Sequence, residues 1–477
     1  MKKKSAGRWK IVLLTSVIVL LAVVATSAVV LRGKKGKNAA SSNETVAVNS
    51  KPKSPLATSQ SRAQLIGQAN TLAASYDYDG AIDFLKQYKN YEKHQDIQAA
   101  IAGYENTRAT LVEVDVTDIP HFFTHPLIYD AKEAFASDMK TGYQQESLTV
   151  DEFNNFLQQM YDNNYVLVSI HDVAPSYKGK DGKRKVRPGK IYLPKGKKAF
   201  MFSEDDTNYY QRWQQKGVGS RLVVGDDGKP TCEVDLKDGS KIRGDYDVIP
   251  CLDRFIEKHP DFSYRGAKAM IGVTGIEGVF GYRTSKYVLG EYNDPKVNSQ
   301  DDFDPDSKDA KAVTAVAQAI RDDGYILSSH SFVHGAFYSN GQYCSQQYLK
   351  YDISRFKNEI ASLIGKVDVI LYPNGADIEH GEDGWKYKMS NPRFKRLYNS
   401  GLLYYFNVDT SEESPWGRIG KNYYRGRRVG LIGYTVLCKK DYMKRNFGLS
   451  TKTMVDKNRP LPKTLNYYGT KVKVDCR

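Results

Sequence analysis

Cysteine is scarce in this 477-residue chain. Cys232, Cys251, Cys344, Cys438 and Cys476 include no close pair and no CxxC, which excludes a zinc ribbon and a disulfide-rich scaffold. Their odd number leaves at least one thiol unpaired in a monomer. Proline is missing from Ser61 to Val112, and residues 1–60 hold one acid, Glu44, against eleven Lys/Arg. A disordered composition is missing too: 40% of residues are hydrophobic and 26% charged, as in an ordinary globular chain. The length suits about two or three structural units. The formal charge of +15 calls for a polyanionic partner such as nucleic acid, an anionic membrane face or an acidic cell wall. Residues 1–60 carry +10 of it, so residues 61–477 carry only +5. That placement removes nucleic acid and leaves anionic lipid and wall polymer.

The first ten residues, MKKKSAGRWK, precede an uncharged run from Ile11 to Leu31. At about 1.5 Å per residue this run spans the ~30 Å hydrocarbon layer, and it exceeds the about 7–15 residues of a signal-peptide core. Ala25, Ser27 and Ala28 offer a cleavage site, but the length favours an uncleaved anchor. The expected order is a cytoplasmic tail (1–10), a transmembrane signal-anchor (11–31) and a flexible linker rich in Ser, Asn, Lys and Gly (32–60). The protein is thus expected in the cell membrane, single-pass, held there through its N-terminal helix with the large domain that follows extracellular.

Residues 61–112 repeat apolar positions at helical spacing and look like a tetratricopeptide-type hairpin with its turn at Tyr78-Asp79-Gly80. One repeat and a fraction is too little for a solenoid, so a helical spacer is expected. Residues 113–477 alternate strands with helices. The strand candidates are 121–125, 166–170, 199–203, 268–274, 325–329, 367–372, 403–408 and 429–434, and the helix candidates 150–162, 310–323, 349–364 and 391–400. This alternation predicts an α/β fold, a parallel (β/α) barrel or a doubly wound sheet. The Asp-Gly turns at 227–228 and 238–239 predict a β-ribbon inserted at 221–245.

Polar residues follow the strands: His125; His171-Asp172; Glu204-Asp205-Asp206; His330 and His334; Asn374 to Asp377; and Asp409. Carboxyl ends of parallel strands build active sites, so these groups are expected at one mouth. Two imidazoles four residues apart, read as facing one way in a helical turn, and one carboxylate make three metal ligands with a position open for water. Adjacent aspartates point apart, so one ligates while the other acts as a base. HxxxH alone is weak, since His121 and His125 share it; position after separate apolar strands strengthens it.

These segments resemble the polysaccharide deacetylases, carbohydrate esterases with the NodB-homology domain, in a membrane-anchored Gram-positive variant. FSEDDTNYY (202–210) matches the Asp-Asp motif, SHSFVHG (329–335) the His-x-x-x-His motif, and ILYPNGAD (370–377) and NVDTSEESPW (407–416) the weaker third and fourth. PHFFTHPLI (120–128) matches the opening strand. The likeness covers residues from about 120 to 435. It implies a distorted (β/α) barrel, a divalent metal, usually Zn2+, on Asp206, His330 and His334, and Asp205 as the base. It further implies deacetylation of an N-acetylated cell-envelope polysaccharide, peptidoglycan or poly-N-acetylglucosamine, by metal-activated water. The chain departs from the family where the third motif usually carries a base-orienting arginine, here Leu371, and in having no histidine after His380 to serve as the acid. His125 is the expected acid, with His121 and His171 in reserve. The departures keep open a catalytically weak or silent glycan-binding or scaffold protein of the envelope; a metal-dependent glycosidase is a second rival. Tyr209, Tyr210, Tyr338, Tyr343 and Trp416 stand near the motifs as sugar-stacking candidates, with ordinary packing the plainer reading of each.

Overall fold

A computed structural model describes residues 61–287, 303–339, 341–379, 386–408, 416–466 and 473–476. The apolar run Ile11–Leu31, the linker and Asp409 lie outside the described residues. Among the described residues no helix is long and apolar enough to cross a membrane.

Seven parallel strands close into a barrel: β1 (His121–Thr124), β2 (Lys198–Glu204), β3 (Met270–Val273), β4 (Ile326–Ser329), β5 (Val369–Leu371), β6 (Tyr404–Val408) and β7 (Tyr424–Gly430). They pair in the order β3-β4-β5-β6-β7-β1-β2, and β2 closes on β3 through Ser203–Met270 and Glu204–Ile271. This is a (β/α) barrel, one of the two arrangements that the alternation predicts, and not a doubly wound sheet. A short parallel strand, Tyr165–Leu167, pairs with the amino-terminal half of β2 at Lys198–Phe200.

Side-chain alternation in β2 shows how the sequence builds both faces. Phe200 and Phe202 turn outward onto Phe156 of the helix α4 (Val150–Asp162), while Ser203 and Asp205 turn inward to Arg428. The helix α4 starts where expected because Thr149 and Glu152 form a capping box. Glu152 carries a second load: both its oxygens take hydrogen bonds from the buried Arg459 guanidinium, at 2.6 Å each. That ties the C-terminal segment to the barrel wall.

Residues 61–112 form three helices, α1 (Arg62–Ala74), α2 (Tyr78–Lys86) and α3 (Gln95–Arg108), around a small core of Leu65, Ala69, Ile82, Leu85, Ile97 and Ile101. The expected turn at Tyr78–Gly80 is instead the first turn of α2; Asp77 caps it by accepting from Gly80 N–H. The helices dock on the barrel where the Tyr76 hydroxyl donates to Asp261 O (2.8 Å) and Arg265 N–H to Ser75 O (2.7 Å). The expected ribbon is a three-stranded antiparallel sheet, Arg221–Val224, Pro230–Asp235 and Lys241–Gly244.

Two strand expectations need correction. The segment 166–170 ends at Leu167, and Ile170–Val173 is a short helix begun by Ser169 accepting from His171 N–H. The last strand lies not at 429–434 but at Tyr424–Gly430, with Gly433–Cys438 helical. YRGRR has the composition of a charged loop, yet Arg425, Arg427 and Arg428 are all buried, and each finds partners there.

Candidate metal centre

At the carboxyl ends of β2 and β4, the ligand atoms of Asp206, His330 and His334 lie within 4.8 Å of one another. His334 Nε2 stands 3.3 Å from Asp206 Oδ1, and His330 Nε2 stands 3.9 Å from the same oxygen. The His330 tautomer follows from its partner. Nδ1 lies 2.7 Å from Leu371 O, and a carbonyl only accepts, so Nδ1 carries the proton and the Nε2 lone pair faces the carboxylate. Burial drops the His330 pKa to about 4 against the opposing pull of Asp205 and Asp206, so the ring is neutral near pH 7. Burial also pushes Asp206 up, but the facing His334, His330 and His125 outweigh it and hold the acid at about 2. Two imidazoles and one carboxylate, converging from two strands, fit a divalent cation.

The His330–His334 loop is not the helical turn expected from the spacing. Ser331 and His334 have positive φ (63° and 51°), as does Asp206 (58°). Such backbone persists only where the surroundings fix it, and it gathers at functional sites. Here the surroundings are visible. Asp352 Oδ1 accepts from Ser331 Oγ (2.9 Å), Phe332 N–H (2.8 Å) and Val333 N–H (3.0 Å), while Ser331 Oγ accepts from His334 N–H (3.1 Å). Gly275 makes room for the loop, since a Cβ there would sit 2.3 Å from the Phe332 ring. The Tyr210 hydroxyl donates to Asp206 Oδ1 at 2.7 Å, orienting the carboxylate.

Asp205 lies beside the triad, its Oδ2 3.8 Å from His330 Nε2. Its other oxygen accepts from Arg428 Nη1 at 2.6 Å. Burial raises the Asp205 pKa, but Arg428 and then His330 pull harder, leaving it below the ordinary carboxylate value. It is therefore ionised and oriented, as a base must be. Arg428 is the functional residue that reading the sequence missed. The arginine that meets Asp205 comes from β7, and Leu371 contributes its carbonyl to His330. Only the spacing of Arg428 from the apolar Val429–Ile432 run offered a signal, and the strand there was placed too late. Glu204, the first of the three consecutive acids, points outward to Asp247, where burial and then that neighbour raise its pKa well above the usual range.

His125 directly follows β1 at the same mouth. Its Nδ1 donates to Glu146 O at 2.8 Å, and its charge bears on both Asp205 and Asp206. It is not one of the three clustered ligands. The reserve histidines are elsewhere. His121 is buried inside the barrel with Nε2 3.0 Å from Ser203 Oγ, and His171 pairs with Asp368 (3.2 Å), which precedes β5 at the opposite end. Asp377 is not one of the clustered ligands either and is buried against Arg425. Tyr209 and Tyr210 are buried, hydrogen-bonded to Asp247 and Asp206, and so offer no stacking face. Tyr338 and Tyr343 pair across a hairpin just after the metal loop, half-buried, with ring centres 4.8 Å apart. Trp416 is buried beneath Arg418 and Arg425. No family model, no curated protein and no solved structure matches this chain.

Proposed function

We propose that this barrel is a polysaccharide deacetylase domain, a metal-dependent hydrolase of N-acetyl groups on a cell-envelope glycan such as peptidoglycan or poly-N-acetylglucosamine. The observation that carries the reading is the division of labour at one mouth: Asp206, His330 and His334 converge as ligands, while the adjacent Asp205 is held apart by Arg428. A divalent cation, best Zn2+ for this donor set, would polarise an acetyl carbonyl and acidify water there. Asp205 takes the proton from the attacking water. Arg428 keeps that carboxylate ionised and aimed, and releases it less readily to bind metal. His125, when protonated at both nitrogens, gives the Nε2 proton to the departing amine, while Nδ1 stays fixed on Glu146 O. Nitrogen leaves as a neutral amine only with that proton, so an acid is required.

The test is Asp205→Asn in the full chain. Acetate release from N-acetylated glycan should vanish while bound metal, read by atomic spectroscopy, stays at the level of the unaltered protein. Survival of activity removes the base assignment. Metal retention with no acetate from the unaltered protein points to the silent glycan-binding alternative, and new reducing ends in place of acetate point to a glycosidase.

A further inference from the structure

The modest net charge of residues 61–477 conceals a local extreme. Between Lys178 and Lys198 there are ten Lys/Arg and one acid, Asp181, a net of +9. Everything else from residue 61 onward therefore nets −4. The stretch comprises an antiparallel hairpin, Ser176–Lys178 with Arg184–Val186, and the run that returns to the start of β2. Lys178, Lys180, Lys183, Arg184, Arg187, Lys190, Lys195 and Lys198 are exposed, and so is Tyr177.

Three contacts fix this hairpin at the amino ends of the strands, opposite the metal. Arg184 Nη2 bonds Asp368 (2.8 Å) just before β5, the Tyr398 hydroxyl donates to Arg184 O (2.7 Å), and the Tyr404 hydroxyl, at the first residue of β6, donates to Ala174 O (2.8 Å). The helices α1–α3 dock at the same end, and Val112-Glu113, which follows them, pairs with Tyr192-Leu193. Four acids on this face are engaged: Asp368 with His171 and Arg184, Asp261 with Lys197, Asp181 with Lys185, and Glu113 with the Tyr192 hydroxyl. The remaining positive field points to solvent.

We propose that the Ser176–Val186 hairpin and the Arg187–Lys198 return form a docking surface for the anionic headgroups of a lipid bilayer. The charge complementarity matches that of the +10 carried by residues 1–60, which flank the apolar run. Docked this way, the barrel holds its amino-end face to the bilayer and its metal mouth toward the polymer outside. Only that last orientation rests on the function proposed above; lipid docking does not require catalysis.

The experiment places the full chain in nanodiscs of phosphatidylcholine alone or enriched in phosphatidylglycerol, and follows amine-reactive labelling of each lysine by mass spectrometry. Association with the neutral discs reports the apolar run separately. Lys178, Lys180, Lys183 and Lys190 should label several-fold more slowly in phosphatidylglycerol, while Lys237 on the ribbon is unchanged. Salt should abolish the protection, because the screening length shrinks from ~10 Å at 0.1 M to ~3 Å at 1 M. Replacing the four with glutamine should remove the disc dependence of labelling at Lys195 while leaving the metal content intact. Equal labelling in the two lipids overturns the proposal, as does protection by a soluble polyphosphate polymer with none by phosphatidylglycerol.

Discussion

Asp205 and Asp206 are neighbours in the chain, both buried, and yet they meet different partners. Asp205 directly follows β2 and points inward to Arg428; Asp206 turns through positive φ to face His334. Arg428→Gln should lower kcat/KM for acetate release by on the order of 10²-fold. It should also move the acidic limb of the pH profile upward, because Arg428 is the main force lowering the Asp205 pKa. Arg428→Lys keeps the charge but not the fork, so the limb should move less than the rate falls. An unmoved limb in both variants contradicts the assignment. His125→Ala should slow N-acetyl turnover by about 10²–10⁴-fold but spare an aryl acetate, whose leaving group needs no proton. Equal loss on both substrates places His125 outside proton transfer.

At the scale of elements, the metal loop depends on a helix that touches no metal. Asp352 belongs to the helix Gln346–Arg355, and one of its oxygens collects three donors from Ser331, Phe332 and Val333. Asp352→Ala should weaken metal affinity by about 10–100-fold, a typical loss for an outer partner of a ligand loop. Asp352→Asn retains an acceptor oxygen and should recover most of it; competition with a chromogenic chelator measures both. Most of this architecture was legible in the sequence where apolar runs alternate with amphipathic helices, since period and capping residues act locally. The β7 arginines were not legible, because a buried guanidinium is explained only by its distant partner: Asp377 for Arg425, Tyr442 for Arg427 and Asp205 for Arg428. HxxxH was read as helical for the same reason. Its spacing is local, but the Asp352 brace that bends it lies about twenty residues away.

For the whole molecule, two features outside the site set stability. Glu204 and Asp247 form a buried carboxyl pair in which burial raises Asp247 to about 6 and Glu204 further. Such acids hold protons more tightly folded than unfolded, so stability is greatest below about pH 4 for this pair and falls as pH rises through about 6. Glu204→Gln should flatten the fall of Tm across that window; an unchanged slope contradicts the coupling. The second feature is the disulfide Cys438–Cys476, which leaves Cys232, Cys251 and Cys344 free. Its separation of 38 residues corresponds to about 4 kcal/mol of loop entropy. Reduction should therefore lower Tm in calorimetry without removing metal, and a bond of this kind suits an oxidising compartment.

The proposed function has the mouth formed by Asp205, Asp206, His330 and His334 hydrolyse acetyl groups with the help of a metal. The most direct measurement is acetate released by the purified full chain from peptidoglycan and from poly-N-acetylglucosamine, before and after chelation and after Zn2+ is restored. The account predicts release from at least one of these glycans, loss with chelator and recovery with Zn2+. No acetate from either glycan by the zinc-loaded protein, or release that chelation leaves untouched, would contradict it.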